Sequence, residues 1–391
     1  MFKHFPIIPD LFLMKVFAHL REVVNVKWTK QILAAGIGSI VALNSNPVIA
    51  SDRLEHDRIY HSPYFQGRGD TGIGDADNVD AIYYNPAGLA QGKGVYKQTV
   101  LASPSAEYSL ATRDLYRKIS VEEESPTDAL KEAIGESQHF GVQNVTALVF
   151  RRAALSVIES AQADIMVYKS KEASGLETVD TFASANAGIT FSLAEGFMDN
   201  SLLLGVTAKY LAVRASGGVS ASILDASDPT AIDTDNLAQM GSGSGADFGL
   251  MWKSDQGSMP SFGLTIENAG DLKIVPDDEA KDSETLHQTV NFGFSARPGT
   301  KYSRFHLLFD YRDAANAYDD DPWLKMHFGA EISMKNIIGF CAGLNQGYGT
   351  GGVFLNLYFV RIDLASYTQE MGERAGDRPD TRYVLRVSAG F

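Results

Sequence analysis

The stretch Leu324-Lys325-Met326-His327-Phe328-Gly329-Ala330-Glu331-Ile332 puts an apolar residue at every even position and its polar residues at odd ones. Such alternation belongs to a β-strand with one apolar face, because successive side chains of a strand point to opposite sides. The same period runs through Phe305, Leu307, Phe309 and Tyr311, through Val290, Phe292, Phe294 and Ala296, through Ala246, Phe248, Leu250 and Trp252, and through Ala187, Ile189, Phe191 and Leu193. Helical periodicity is nearly absent after residue 95.

Turn residues divide this region into fourteen segments, at about 95–111, 141–151, 153–168, 179–194, 200–215, 243–254, 259–268, 287–297, 302–312, 324–334, 337–344, 351–357, 360–370 and 381–391. The linkers 112–140, 169–178, 216–242, 269–286, 313–323, 345–350 and 371–380 read as long, and they alternate with short ones near Arg152 and at 195–199, 255–258, 298–301, 335–336 and 358–359. Short turns at one end and long loops at the other are the mark of a transmembrane β-barrel. A soluble sandwich has no reason to keep that parity, and a propeller would need a blade repeat of about 40 to 50 residues that the sequence lacks. The fold class read from the chain is therefore all-β, a transmembrane antiparallel barrel of about fourteen strands.

Charge placement fixes the register. Arg304, His306 and Asp310 share one face of their segment, as do Lys325, His327 and Glu331, Arg361 and Asp363, and Arg382 and Arg386. With the apolar face towards lipid, these charges point into the lumen. A one-residue slip would carry Arg386 into hydrocarbon at a cost of about 2 to 4 kcal/mol near the midplane. Lumen-facing charges are thus expected at Arg304, Asp310, Lys325, Glu331, Arg361, Arg382 and Arg386. The chain closes on Tyr383, Leu385, Val387 and Phe391 at alternate positions, which resembles the terminal signal that bacterial outer-membrane barrels present to their assembly machinery.

The first fifty residues differ from the rest. They carry a net charge of +3 and leave −17 on the remainder of a chain whose formal charge is −14. Lys27 and Lys30 precede an apolar run, Ile32 to Leu43, then a break at Asn44 to Pro47 and Val48-Ile49-Ala50. Basic flank, short apolar core and small residue compose a secretory signal cut after Ala50, with Met14 as an alternative start. The run is too short for the ~20 residues of a spanning helix, and no cysteine lies near the cut for lipidation. An amphipathic N-terminal helix is the competing reading. Residues 1–50 are assigned to the signal, 51–93 to a segment without strand pattern, and 94–391 to the barrel. Export into the outer membrane, contact with its lipid and delivery by the assembly machinery follow.

Residues 51–93 are the candidate plug for a lumen that fourteen strands leave too wide to be filled by the wall's own side chains. Within it stands Asp80-Ala81-Ile82-Tyr83-Tyr84-Asn85-Pro86-Ala87-Gly88-Leu89. Pro86 fixes its own φ and keeps Asn85 out of the helical region, while the Asn85 side chain can bond nearby backbone. This stretch at the head of a barrel resembles the N-terminal hatch of the FadL-type outer-membrane transporters of long-chain fatty acids and other hydrophobic compounds, and of the related PorV-type and TraF-like families. The resemblance implies a fourteen-stranded barrel with a hatch shaped by Asn85, Pro86 and Ala87. It also implies passive passage of a hydrophobic, fatty-acid-like ligand, collected first by greasy loop positions such as Ile223 and Leu224. The final hairpins, Gly343 to Tyr348 and Tyr367 to Asp380, are similar to those of the PorV and TraF-like relatives. That carries the alternative, a barrel that docks or shuttles exported proteins of a secretion system.

Other signals are set aside. Gly67-Arg68-Gly69-Asp70-Thr71-Gly72 matches a dinucleotide fingerprint, but no strand pattern precedes it and no helix pattern follows. Arg68-Gly69-Asp70 matches an adhesion tripeptide and no more. Asp75, Asp77 and Asp80 lack the central Gly and terminal Glu of a calcium loop; they read either as hydrated lumen carboxylates or as partners of Arg304, Arg361, Arg382 or Arg386 that hold the hatch in place. His306 and His327 read as hydrated lumen histidines without a nucleophile beside them. The single cysteine, Cys341, reads as an inward filler and removes any disulfide or multi-cysteine metal site. No basic cluster invites nucleic acid. No catalytic residue, metal or cofactor is expected.

Overall fold

The computed structural model describes residues 58–390 apart from 92–95, 123–124, 170–176, 223–238, 255, 279–282, 299–302, 319–320, 336 and 373. The assigned signal, Phe391 and the loop around Ile223 and Leu224 lie outside the described residues.

Seventeen strand segments form one sheet: β1 (Tyr96–Ala102), β2 (Ser105–Ser109), β3 (Ser137–Phe150), β4 (Ala153–Lys169), β5 (Glu177–Phe197), β6 (Leu202–Ser222), β7 (Gln239–Lys253), β8 (Ser261–Glu267), β9 (Leu272–Pro276), β10 (Glu284–Leu286), β11 (Thr289–Ala296), β12 (Ser303–Tyr311), β13 (Met326–Met334), β14 (Ile338–Asn345), β15 (Tyr348–Leu357), β16 (Val360–Glu370) and β17 (Pro379–Gly390). β1 and β2 are one stave broken at Ser103-Pro104, and both pair with β3 and with β17, which closes the barrel. β8 with β9, and β10 with β11, are likewise staves interrupted at 268–271 and 287–288. The result is a closed antiparallel barrel of fourteen staves.

The two faces of the wall obey the alternation. Phe191, Phe248, Phe294, Phe328, Phe340 and Leu385 are exposed on the outside, whereas their neighbours Ser192, Ser295, His327, Cys341 and Arg386 are buried. A closed sheet with an apolar outer belt has every backbone group paired and only lipid to face. These are the terms on which a β-barrel crosses a membrane.

Three features depart from the sequence reading. The linker 345–350 is a tight turn, because Gln346 and Gly347 both take positive φ, 54° and 89°, and let Asn345 pair with Tyr348. The linker 269–286 carries the β9–β10 extension, whose Leu272, Ile274 and Leu286 pack with Leu211 into a small core at the loop end. The linker 112–140, read as a long loop, holds two helices, α3 (Leu110–Ser120) and α4 (Pro126–Glu132). Ser109 and Ser125 cap them through their hydroxyls, and Leu115, Ala129 and Leu130 bury against Ile165, Val167 and Val179 of the wall.

Candidate functional site

Residues 58–91 run inside the barrel. Ser62 caps the short helix α1 (Pro63–Gln66), with Pro63 at its first position, and a second short helix, α2 (Ala81–Tyr84), leads into a 3₁₀ turn, Pro86–Ala90. Phe65, Ile82, Tyr84, Ala87 and Leu89 are fully or almost fully buried and share one core with Val149, Ile158, Leu203 and Met251 of the wall. At the short-turn end the Arg152 N–H donates to Leu89 O, 3.4 Å. The lumen is thus filled from its short-turn side by a packed hatch.

Asn85 is extended (φ −160°, ψ 100°), as a residue before proline prefers. Its Oδ1 accepts from Ala87 N at 3.1 Å, and its Nδ2 donates to Ile73 O at 2.8 Å and to Leu250 O on β7 at 3.2 Å. One side chain therefore caps the turn, ties two hatch segments together and fastens both to the wall. Pro86 and Ala87 press against β6, where a Cβ on Gly205 would stand 2.3 Å from Ala87 N.

That contact is one of a series. A Cβ on Gly249 would come within 2.2 Å of Asn85 Oδ1, on Gly263 within 2.1 Å of Ile73 O, on Gly293 within 2.5 Å of Gly74 N, on Gly329 within 2.3 Å of Arg68 O and on Gly343 within 2.6 Å of Gly69 N. Gly205 pairs with Gly249, Gly263 with Gly293 and Gly329 with Gly343 across neighbouring strands. These inward glycines form a girdle against which the hatch backbone lies directly on the wall backbone, an approach that any side chain would prevent.

Charge reinforces the seat. Arg68, 1% exposed, lies 2.7 Å from Asp75 and 3.3 Å from Glu331 of β13, with its guanidinium 4.1 Å from the Phe65 ring centre; Tyr64 OH donates to the same Glu331. Asp70 receives Arg58 at 3.0 Å and Arg312 at 2.9 Å. Burial disfavours its charge, but the two guanidiniums outweigh burial and hold its carboxyl well below the usual range. Asp310 of β12 accepts from the N–H groups of Gly72, 2.7 Å, and Ile73, 3.0 Å. Arg386 of β17 meets Asp363 at 2.9 Å, Tyr60 OH at 3.0 Å and Asp80 at 3.4 Å.

The remaining lumen positions divide by height. Arg361 pairs with Asp363, 2.8 Å, and stacks 4.4 Å over the Tyr64 ring. Lys325 pairs with Asp313, 3.2 Å, and Arg382 with Asp380, 2.7 Å, and Asp164, 3.4 Å, all nearer the long loops. The Arg304 side chain lies outside the described ones. Of the carboxylates expected to meet lumen arginines, Asp80 meets Arg386. Asp75 instead takes Arg68 and Arg297, 3.5 Å, while Asp77 is exposed and offers only its carbonyl, to Lys97. His327 is buried and donates from Nδ1 to Gly69 O, 3.1 Å, so it belongs to the hatch contact and not to lumen water. Arg68 and Asp70 are both buried, which closes the adhesion reading. Leu385 and Val387 face outward, and Tyr383 stacks on Tyr108, centroids 6.1 Å apart.

Over the hatch, towards the long loops, the lumen keeps a half-enclosed cavity of about 160 Å³. Ile59 and Tyr83 of the hatch, with Ile158, Leu211 and Leu286 of the wall, give it an apolar side; Lys209, Asp247, Arg312, Asp313 and Lys325 give it a charged one. Sequence reasoning did not find this cavity. It looked for ligand contacts around Ile223 and Leu224, and the cavity is lined by inward strand positions, by the start of the hatch and by residues of the β12–β13 connection, among them Arg312, Asp313 and Lys325.

No family model matches the chain, and no curated protein matches it in sequence. Among solved structures, the toluene transporter TodX of P. putida is similar over 86% of this chain and 99% of its own, with 11% identity and a TM-score of 0.48. The toluene transporter TbuX of Ralstonia pickettii is similar over 86% and 98%, with 11% identity and a TM-score of 0.48. A FadL homologue of Pseudomonas aeruginosa is similar over 87% and 99%, with 10% identity and a TM-score of 0.35. At these scores the likeness is one of general shape.

Proposed function

We propose that the protein admits small hydrophobic molecules passively across the outer membrane, through a barrel whose lumen is gated by its own N-terminal hatch. The observation that carries this reading is the pairing of a cavity having one apolar side with a hatch directly beneath it that is seated by hydrogen bonds, ion pairs and packing alone. Such a seat can open and close, and a pocket that combines apolar surface with a few placed polar groups is what ligand capture needs. Asn85, Pro86 and Ala87 shape the hatch, the lumen charges hold it, and no residue performs a chemical step. Tyr383, Leu385, Val387 and Phe391 serve delivery of the barrel to the membrane.

Native mass spectrometry of the detergent-purified full chain, with extraction of bound small molecules, tests the reading beside an Asn85→Ala, Pro86→Ala variant. The wild type is expected to retain a hydrophobic ligand that the variant loses, because freeing the hatch displaces Tyr83 from the cavity wall. An empty wild-type barrel that instead holds a defined exported protein after mild purification overturns uptake in favour of docking.

A further inference from the structure

The cavity carries a statement about ligand charge. Its lining includes four lysine and arginine side chains, Arg58, Lys209, Arg312 and Lys325, and five carboxylates, Asp70, Asp247, Glu267, Asp313 and Glu370. Each cation is already engaged. Lys209 lies 2.6 Å from Asp247 and Lys325 3.2 Å from Asp313. Arg58 and Arg312 share Asp70, and Arg58 also reaches Glu267 at 4.0 Å. The fifth carboxylate, Glu370, is held by Tyr348 OH and by the N–H groups of Gly372, Gly376 and Arg378.

We infer that the cavity admits uncharged ligands and rejects the ionised carboxylate of a fatty acid. The inference rests on the uptake reading and specifies its ligand. Among the described residues, an entering carboxylate finds no cation waiting for it. To gain one it must pull a lysine or arginine from a partner at hydrogen-bonding distance, leaving that partner's charge unpaired in a place poor in water. The lining also has a surplus of one negative charge, which repels the anion at longer range. A neutral molecule meets neither obstacle: it can lay its body on Ile59, Ile158, Leu211 and Leu286 while the paired ions stay paired. The size suits a simple probe, since a dry engineered cavity of about 150 Å³ accepts benzene.

Benzyl alcohol and benzoate have the same ring and differ in charge. Both are titrated calorimetrically into the full-length barrel at pH 8. Benzyl alcohol is expected to bind at least about tenfold more tightly than benzoate. Asp247→Asn removes the counter-charge of Lys209 with little change of shape, and should shift the affinity ratio towards benzoate by about tenfold. Asp313→Asn, which frees Lys325, serves the same purpose if the first variant fails to give the compact gel band of a folded barrel. Benzoate binding as tightly as benzyl alcohol in the wild type, or an unmoved ratio in a folded variant, overturns the inference and leaves uptake standing. Binding of neither probe overturns the uptake reading and the inference with it.

Discussion

The lower and upper parts of the lumen are built by opposite means. Towards the short turns, the wall gives up its side chains: Gly205, Gly249, Gly263, Gly293, Gly329 and Gly343 bring hatch and wall into backbone contact. Towards the long loops, the wall keeps long charged side chains, Lys209, Asp247, Lys325 and Asp313, which pair along the wall and leave room between. Backbone against backbone leaves no void, so the lower part seals. Side chains paired with one another cover the wall without filling the middle, so the cavity described above lies in the upper part. The same barrel thus contains a stopper and a receptacle, and the difference lies in what the inward positions carry.

The comparison breaks first at the girdle. Gly205→Ala with Gly263→Ala places new methyl groups at 2.3 Å from Ala87 N and 2.1 Å from Ile73 O. Neither backbone can yield cheaply, and the combined cost should reach up to about 6 kcal/mol. The strand ladders are untouched, so the barrel should persist while its hatch leaves its seat. Planar-bilayer recordings should then show open-channel steps that the wild type lacks, and a variant as silent as the wild type would show that the girdle does not seal the lumen.

A somewhat smaller effect is expected from Arg68→Met. It keeps much of the bulk over Phe65 but leaves Asp75 and Glu331 without their common cation, and loss of one member of a buried ionic group costs about 3 to 5 kcal/mol. Arg297 at 3.5 Å and His306 at 3.7 Å remain near Asp75, which points to the lower end of that range. The urea midpoint for loss of the compact gel band measures it. An unchanged midpoint would mean that packing and the girdle alone seat the hatch.

The barrel was legible because lipid outside and water inside impose a rule at each successive residue, and β13 follows that rule from end to end. The bend at Asn85-Pro86 was legible because Asn-Pro constrains backbone locally. The girdle left its mark too, in Phe248-Gly249-Leu250, Phe262-Gly263-Leu264, Phe292-Gly293-Phe294 and Phe328-Gly329-Ala330, where glycine occupies the inward position between outward apolar residues. Alternation alone reads such a glycine as a weak polar position. Its purpose appears only when a second segment is laid against it. The partners of Arg68 were illegible for a related reason: Asp75 is near in sequence, but Glu331 comes from a strand 263 residues away. The β9–β10 extension escaped because its few apolar positions are shorter than the window in which a period can be seen.

The smallest effect expected concerns acid, and it sharpens the contrast by asking what kind of charge holds the stopper. Asp70 and Asp75 are both buried. Burial opposes their ionisation, but Arg312 and Arg58 beside the first, and Arg68 beside the second, prevail and depress both below the usual carboxylate range. A group whose folded pKa is depressed contributes stability that is fully present above its unfolded value, about 3.9 for Asp, and is lost as pH falls through the folded value. For this pair the loss begins below about pH 4. Between pH 8 and pH 5 their contribution to the seat should therefore be constant. Asp70→Asn turns this into a difference measurement: the gap between its urea midpoint and that of the wild type should stay level from pH 8 to pH 5, then narrow in stronger acid as the wild-type carboxyl is neutralised. A gap that already closes between pH 7 and pH 5 would mean that Asp70 is not held by its two arginines, and that the stopper depends on groups titrating near neutrality.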